Sequence, residues 1–213
     1  MKPQLTRRGD RALATALPGL PRVAPHAITP LPRSSRQGRL ADDHGIPSPV
    51  GIHHVLFAVS DADLARITTE PPLVQHLFDC EPGSRAANDL PRVSFEVEDY
   101  WGALDFILTG DTDGIDGPIG FLLTWGTPIG DIDVGYGPAR ALTPRQVRDV
   151  SDALAKISPE SFAQRINMAT LEAEGVYHAD TFLEKDLVDL YAELRAFIER
   201  AAVEQSGLVI ALA

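Results

Sequence analysis

The sequence runs to 213 residues, 44% apolar and 23% charged, with 17 glycines, 17 prolines and a single cysteine. That length supports one domain with a real core, and no run of 18 apolar residues offers a transmembrane helix. Cys80 alone can build neither an internal disulfide nor a cysteine-based zinc cage, which points to a reducing, cytoplasmic location, and a net charge of −11 argues against a general nucleic-acid binder.

The charge divides the chain in two. Residues 1–50 hold eight basic and three acidic residues, eight of the prolines and no aromatic residue. Such a stretch buries too little apolar surface to offset its ordering entropy, so a disordered tail is expected over 1–50. As an export signal it is poor: the apolar stretch 12–20 is broken by Thr15, Pro18 and Gly19, and the twin-arginine match stops at Arg7-Arg8. As a basic arm its charge is thinly spread. A valine codon can start a bacterial gene, and Val50 is the expected natural start. The remaining 11 basic and 27 acidic residues give 51–213 a net charge of −16.

Residues 52–59 form an apolar, β-branched run of strand length. Ser60 with Asp63 predicts a capped helix whose buried face carries Leu64 and Ile67. Pro71-Pro72 ends it and starts another helix through Leu73, Leu77 and Phe78, followed by a polar loop over 81–90. The spacing of Trp101, Leu104 and Leu108 predicts a helix over 99–108, with Trp101 in the core. An Asp/Gly loop covers 111–117, and the apolar run 118–125 does not declare its type. A short strand over 139–142 leads into Thr143-Pro144, a strong helix start, and Val147, Val150, Leu154 and Ile157 form that helix's stripe. Ser158-Pro159 repeats the signal. The last helix, 183–202, presents Leu187, Leu190, Leu194 and Phe197, flanked by Tyr191, and an apolar strand follows over 208–212. Apolar strands at both ends of 51–213 are expected side by side in the sheet centre. The fold class is therefore α/β (α+β): a single helix-rich domain, 51–213, around a small mixed β-sheet.

The pattern Trp101-x-x-Leu104-Asp105-x-x-Leu108-Thr109-Gly110, then Gly117-Pro118, then Gly135-Tyr136-Gly137-Pro138-Ala139-Arg140-x-Leu142-Thr143-Pro144-x-Gln146-Val147 resembles the YfbM-like family of small bacterial proteins. The resemblance covers about residues 51–213. It implies a compact cytosolic α/β protein with no accepted activity. Two positions depart from the family pattern: Asp105 stands where histidine is common, and Val176-Tyr177-His178 where Ile-Tyr-Pro is common. A carboxylate has a very different proton affinity from an imidazole, so the first departure weakens a case for base chemistry there.

Specific chemistries fare poorly. A calcium loop starting at Asp111 would need a ligand, glycine and glutamate at its fifth, sixth and twelfth positions, where Ile115, Asp116 and Leu122 stand. His53 and His54 alternate on a strand and point to opposite faces, so neither a metal nor another cofactor is expected. Gly135-Tyr136-Gly137-Pro138 fits no phosphate loop, no Gly-x-Ser-x-Gly elbow occurs, and Cys80 between Asp79 and Glu81 is a poor nucleophile. What remains is a candidate ligand-binding constellation of Trp101, Asp105, Asp111, Tyr136, Arg140 and Tyr177, in which Arg140 holds a carboxylate or phosphate. The bland alternative makes Arg140 the partner of Asp105 or Asp111 in a structural ion pair.

Two functions follow. The acidic domain, lacking catalytic motifs, suits a non-enzymatic protein-binding module with a basic partner, such as a toxin-neutralising immunity protein. The alternative is a small-molecule-binding protein or enzyme using Asp105, Tyr136, Arg140 and Tyr177. Nucleic acid and membrane partners are not expected.

Overall fold

The computed structural model describes residues 54–78, 90 and 92–213. The expected tail over 1–50, the expected start at Val50, His53, Cys80 and nearly all of the 81–90 loop lie outside them.

Five strands form one sheet: β1 (His54–Val59), β2 (Arg92–Glu96), β3 (Thr127–Asp133), β4 (Pro138–Leu142) and β5 (Gly207–Leu212), in the order β2-β1-β5-β4-β3. Every pairing is antiparallel, which corrects the mixed sheet expected from the sequence. The two apolar strands do lie together: β1 pairs with β5 over its whole length, from His54 opposite Leu212 to Val59 opposite Gly207. All six residues of β1 are buried, because both faces of the sheet are covered.

The two faces sort by strand alternation. Val55, Phe57, Val59, Ala139, Ala141, Val209 and Ala211 pack with helix α1 (Asp61–Thr69) and the 3₁₀ segment Pro71–Leu77. Leu56, Ala58, Leu142, Leu208 and Ile210 face the larger layer. That layer contains α2 (Trp101–Thr109), α3 (Pro144–Leu154), α4 (Pro159–Ala163), α5 (Met168–Ala173) and α6 (Glu184–Val203).

Local chemistry sets the helix starts. The Ser60 hydroxyl accepts from the Asp63 N–H. Thr143 and Gln146 close a reciprocal capping box behind Pro144, and Ser158 and Asn167 cap α4 and α5. Pro71-Pro72 starts a 3₁₀ helix rather than an α-helix, and 118–125 resolves into the 3₁₀ turn Pro118–Gly120 and further turns. Trp101 is only partly buried, contrary to its expected core position.

In α6 the buried stripe is Leu187, Tyr191, Leu194, Ile198 and Ala201, with Phe197 beside it; Leu190 is the flanking residue, reversing the expected roles of Leu190 and Tyr191. Tyr191 can lie inside because its hydroxyl donates to the Ile157 carbonyl at 2.8 Å and also lies 3.3 Å from that of Leu154. Its ring stacks on Phe162 with centroids 4.1 Å apart. Tyr191→Phe is expected to keep the stack but remove the donor to the Ile157 carbonyl, lowering stability by about 1 kcal/mol in chemical denaturation. An unchanged midpoint would show that the hydroxyl contributes nothing.

Candidate functional site

The polar interior begins with two strand positions. On β1, alternation puts His54 on the same face as Leu56, and on β4 Arg140 stands opposite Ile210, which is itself opposite Leu56. His54 and Arg140 therefore approach the larger helical layer from either side of β5. Both meet the turn that follows α2. Arg140 Nη1 donates to the carbonyls of Phe121 (3.1 Å) and Trp125 (2.7 Å), and Nη2 donates to that of Leu122 (2.5 Å). The Leu122 carbonyl also accepts from His54 Nε2 at 2.7 Å. A carbonyl only accepts, so this bond places the imidazole proton on Nε2. One guanidinium thus satisfies three backbone carbonyls, and no described carboxylate forms an ion pair with it. The ion pair weighed for Arg140 with Asp105 or Asp111 is replaced by backbone capping.

The turn itself is tight. The Gly120 carbonyl receives the N–H groups of Leu123, Thr124 and Trp125, and a Cβ on Gly120 would lie 1.8 Å from the Ile115 carbonyl oxygen. Only glycine fits that approach.

Asp105 lies on α2 and is completely buried. Its Oδ1 has no hydrogen-bond partner, and its Oδ2 is 3.5 Å from the Thr109 hydroxyl. That hydroxyl has one proton and a closer acceptor, the Asp105 backbone carbonyl at 2.7 Å. The carboxyl is therefore almost unsolvated. Burial raises its pKa to about 7, against the opposing effects of Thr109 and the Arg140 charge. Burial likewise lowers Arg140 to about 10 and His54 to about 4, the nearby guanidinium adding to the fall at His54. His54 Nδ1 is also without a partner.

The six sequence candidates do not share one cleft. Asp105 and Arg140 are coupled through charge. Trp101 and Tyr177 meet elsewhere, stacked with centroids 6.2 Å apart. Asp111 turns its carboxylate back onto the Asp113 N–H at 2.8 Å, as an ordinary turn residue does. Tyr136 sits at the β3–β4 hairpin, 62% exposed, its N–H donating to the Leu212 carbonyl.

Asp105, Tyr136, Arg140 and Tyr177 do not line the hollows described here. One of about 490 Å³ is lined by Val59, Ser60, Val93 and Glu204 among others. A groove of about 240 Å³ runs between the end of β2 and α6, walled by Glu96, Glu98, Asp186 and Glu193 around Tyr100 and Leu190. The Tyr100 hydroxyl is pushed above its ordinary pKa, by burial first and then by the charges of Asp186, Glu98 and Asp99. Sequence reasoning missed this groove, since its carboxylates lie some 90 residues apart and only the fold joins them. It also missed His54 as a partner of Arg140, although strand alternation could have placed both on one face. Among the described residues no His, Cys, Asp and Glu group could hold a metal ion, and no helix is long and apolar enough to cross a membrane.

A family model described as a domain of unknown function, DUF1877, matches residues 50–211. Among solved structures the chain is similar to one titled as a protein of unknown function, YfbM, from Escherichia coli. The two are 16% identical with a TM-score of 0.50, and the match covers 76% of this chain and 99% of that one. At that identity the likeness concerns the fold, and it agrees with the YfbM-like resemblance of the motifs. No curated protein matches.

Two measurements test the polar interior. Arg140→Ala removes the guanidinium from the Phe121 and Trp125 carbonyls, leaving Leu122 only its bond from His54, and is expected to lower the melting temperature by roughly 4–8 °C. A near-native melting temperature would refute its role as a backbone clamp. The second test is proton linkage. His54, depressed on folding, makes stability rise with pH between about 4 and 6.5, its folded pKa and its ordinary value. Asp105, raised on folding, makes stability fall with pH between its ordinary value of 3.8 and about 7. The two slopes oppose each other. Relative to wild type, Asp105→Asn is expected to show stability climbing with pH across that window and a gain at pH 8, whereas His54→Gln shows the reverse slope. Parallel pH–stability curves for all three proteins would contradict this.

Proposed function

The chain belongs to the domain-of-unknown-function family DUF1877, and we propose that it is a non-enzymatic protein-binding module for a basic protein partner in the bacterial cytoplasm, in the manner of a toxin-neutralising immunity protein. The observation that carries this reading is the groove between β2 and α6. Four carboxylates, from Glu96, Glu98, Asp186 and Glu193, surround an apolar strip of Val97, Tyr100 and Leu190, and no basic residue lines it. Such a channel attracts lysine and arginine side chains while offering their aliphatic stems a surface to lie on. The net charge of −16 over residues 51–213 extends the same attraction to longer range and speeds encounter with a cationic protein.

The small-molecule alternative has one point in its favour, the near-neutral pKa of Asp105, which suits an acid or base. Against it, every Arg140 hydrogen bond described goes to backbone, and Asp105 has no exposed surface through which to meet a substrate.

Affinity capture from the native cell tests the proposal when the bait is compared with a variant carrying Glu96→Gln, Glu98→Gln, Asp186→Asn and Glu193→Gln. A basic partner in stoichiometric amount is expected at low salt, reduced at moderate salt and at least tenfold weaker on the neutralised bait. Recovery of no such partner, or equal recovery on both baits, would reject it.

A further inference from the structure

Beside the acidic groove the chain builds an aromatic ladder. Trp101 at the start of α2 stacks with Tyr177, centroids 6.2 Å apart and planes 23° from parallel. Tyr177 stacks in turn on His178 at 3.9 Å and 26°. Neighbouring side chains are built the same way: Tyr100 lies on Phe182 at 4.4 Å, pinning the 177–182 segment to the end of the 3₁₀ turn Glu98–Tyr100. Trp101 and Tyr177 are half-buried, and the ladder is exposed at its His178 end. The His178 side chain is 45% exposed and that of Asp99 37%, and Asp99 Oδ2 stands 3.7 Å from His178 Nδ1.

Backbone strain is concentrated here. Three non-glycine residues among those described have positive φ: Glu98 (48°), His178 (56°) and Gln205 (55°). His178 is a rung of the ladder, and Glu98 lies three residues before Trp101. His178 is at the entry to the turn Ala179–Thr181, where its carbonyl accepts both the N–H and the hydroxyl of Thr181. The left-handed conformation costs a β-carbon-bearing residue energy, and it persists where the surroundings hold a side chain in a set direction. Here it accompanies an imidazole laid flat against Tyr177 and a carboxylate beside its edge.

Stacked rings with a neighbouring carboxylate offer two complementary contacts to a planar cation: a π-face for its plane and an acceptor pair for its N–H fork. The flanks have the matching sign. Glu96, Glu98, Asp186 and Glu193 wall the groove on one side, and Glu172 and Asp180 line a hollow of about 250 Å³ with Val176 and Ala179 on the other. Neither hollow has a basic residue in its wall.

We propose that the Trp101–Tyr177–His178 ladder, with Asp99, receives an arginine side chain of the basic partner, its guanidinium stacked on the rings and its neighbouring basic residues lying in the flanking acidic hollows. This rests on the acidic-module reading above and narrows it, since a lysine ammonium is a compact point charge that gains less from stacked planes. The surrounding carboxylates disfavour a nucleic acid, whose bases would also stack but whose phosphates would be repelled.

The test uses the full-length chain and two peptides of identical sequence, one with arginine and one with lysine at every basic position. Binding is followed by tryptophan fluorescence and by the ring NMR signals of Tyr177 and His178. The arginine peptide is expected to bind roughly three- to fivefold more tightly and to shift those signals. Tyr177→Leu and the exposed Asp99→Asn should each remove that preference while retaining residual, salt-sensitive affinity for both peptides. Asp99→Asn, a near-isosteric surface change, keeps the question answerable if Tyr177→Leu melts. Equal affinities untouched by either substitution would overturn the ladder proposal and leave the acidic-module reading standing. Failure of both peptides to bind at low salt also overturns it, with the capture experiment deciding the broader reading separately. A single-stranded oligonucleotide that shifts the ladder signals where the arginine peptide does not would assign the surface to another class of partner.

Discussion

The interior depends on one guanidinium. A turn whose carbonyls point inward must find donors, because a buried unbonded carbonyl costs about as much as a lost hydrogen bond. Phe121, Leu122 and Trp125 find theirs in Arg140, and His54 adds a second bond to Leu122. Much else follows from that clamp. Asp105, on the helix preceding the turn, lies close enough for the guanidinium charge to oppose its desolvation, but not close enough to pair with it. The outcome is a carboxyl near neutrality, an uncharged imidazole and a cation, enclosed together. Burial shifts all three toward their neutral forms, which lessens the charge the interior must hold.

This explains why residue types that suggest an active site serve here to hold a turn. Arginine, histidine, aspartate and tyrosine are the vocabulary of catalysis, but here their donors are spent on backbone or on packing. The distinction is geometric: a catalytic guanidinium keeps a face for substrate, whereas this one is occupied by three carbonyls. The surface tells a different story. Its acidic grooves and stacked rings are open, and they sit where β2 gives way to α2 and where the chain enters α6, at element ends rather than in a central hollow.

Much of the architecture was legible in the residues. Caps at Ser60, Thr143 and Ser158 marked helix starts because the hydroxyl-to-N–H bond is local and needs no tertiary partner. The placement of β1 beside β5 was readable from strands without polar residues, which require neighbours on both sides and both faces. Strand direction was not readable, since parallel and antiparallel neighbours bury the same side chains. Nor could α6 periodicity distinguish Leu190 from Tyr191, as the choice turned on two carbonyls supplied by distant α3 and the segment after it. For the site, residue types suggested Arg140 and Asp105 as partners, but backbone carbonyls, which every sequence carries and none advertises, took the guanidinium instead. The ladder was half visible: Trp101 and Tyr177 stood out as aromatics, whereas His178 entered only as a departure from the family pattern.

The strand that completes the sheet is the last of the five described strands. Until Gly207–Leu212 emerges from the ribosome, β1 with β2 and β3 with β4 are two separate ribbons with a vacant slot between them, each exposing a row of unpaired N–H and C=O groups. β5 fills that slot, with six registered positions against β1 and three against β4. Removing Gly207–Leu212 would therefore take out the keystone of the sheet rather than its margin. A nascent chain must keep two open flanks from the wrong neighbours until Gly207–Leu212 is made.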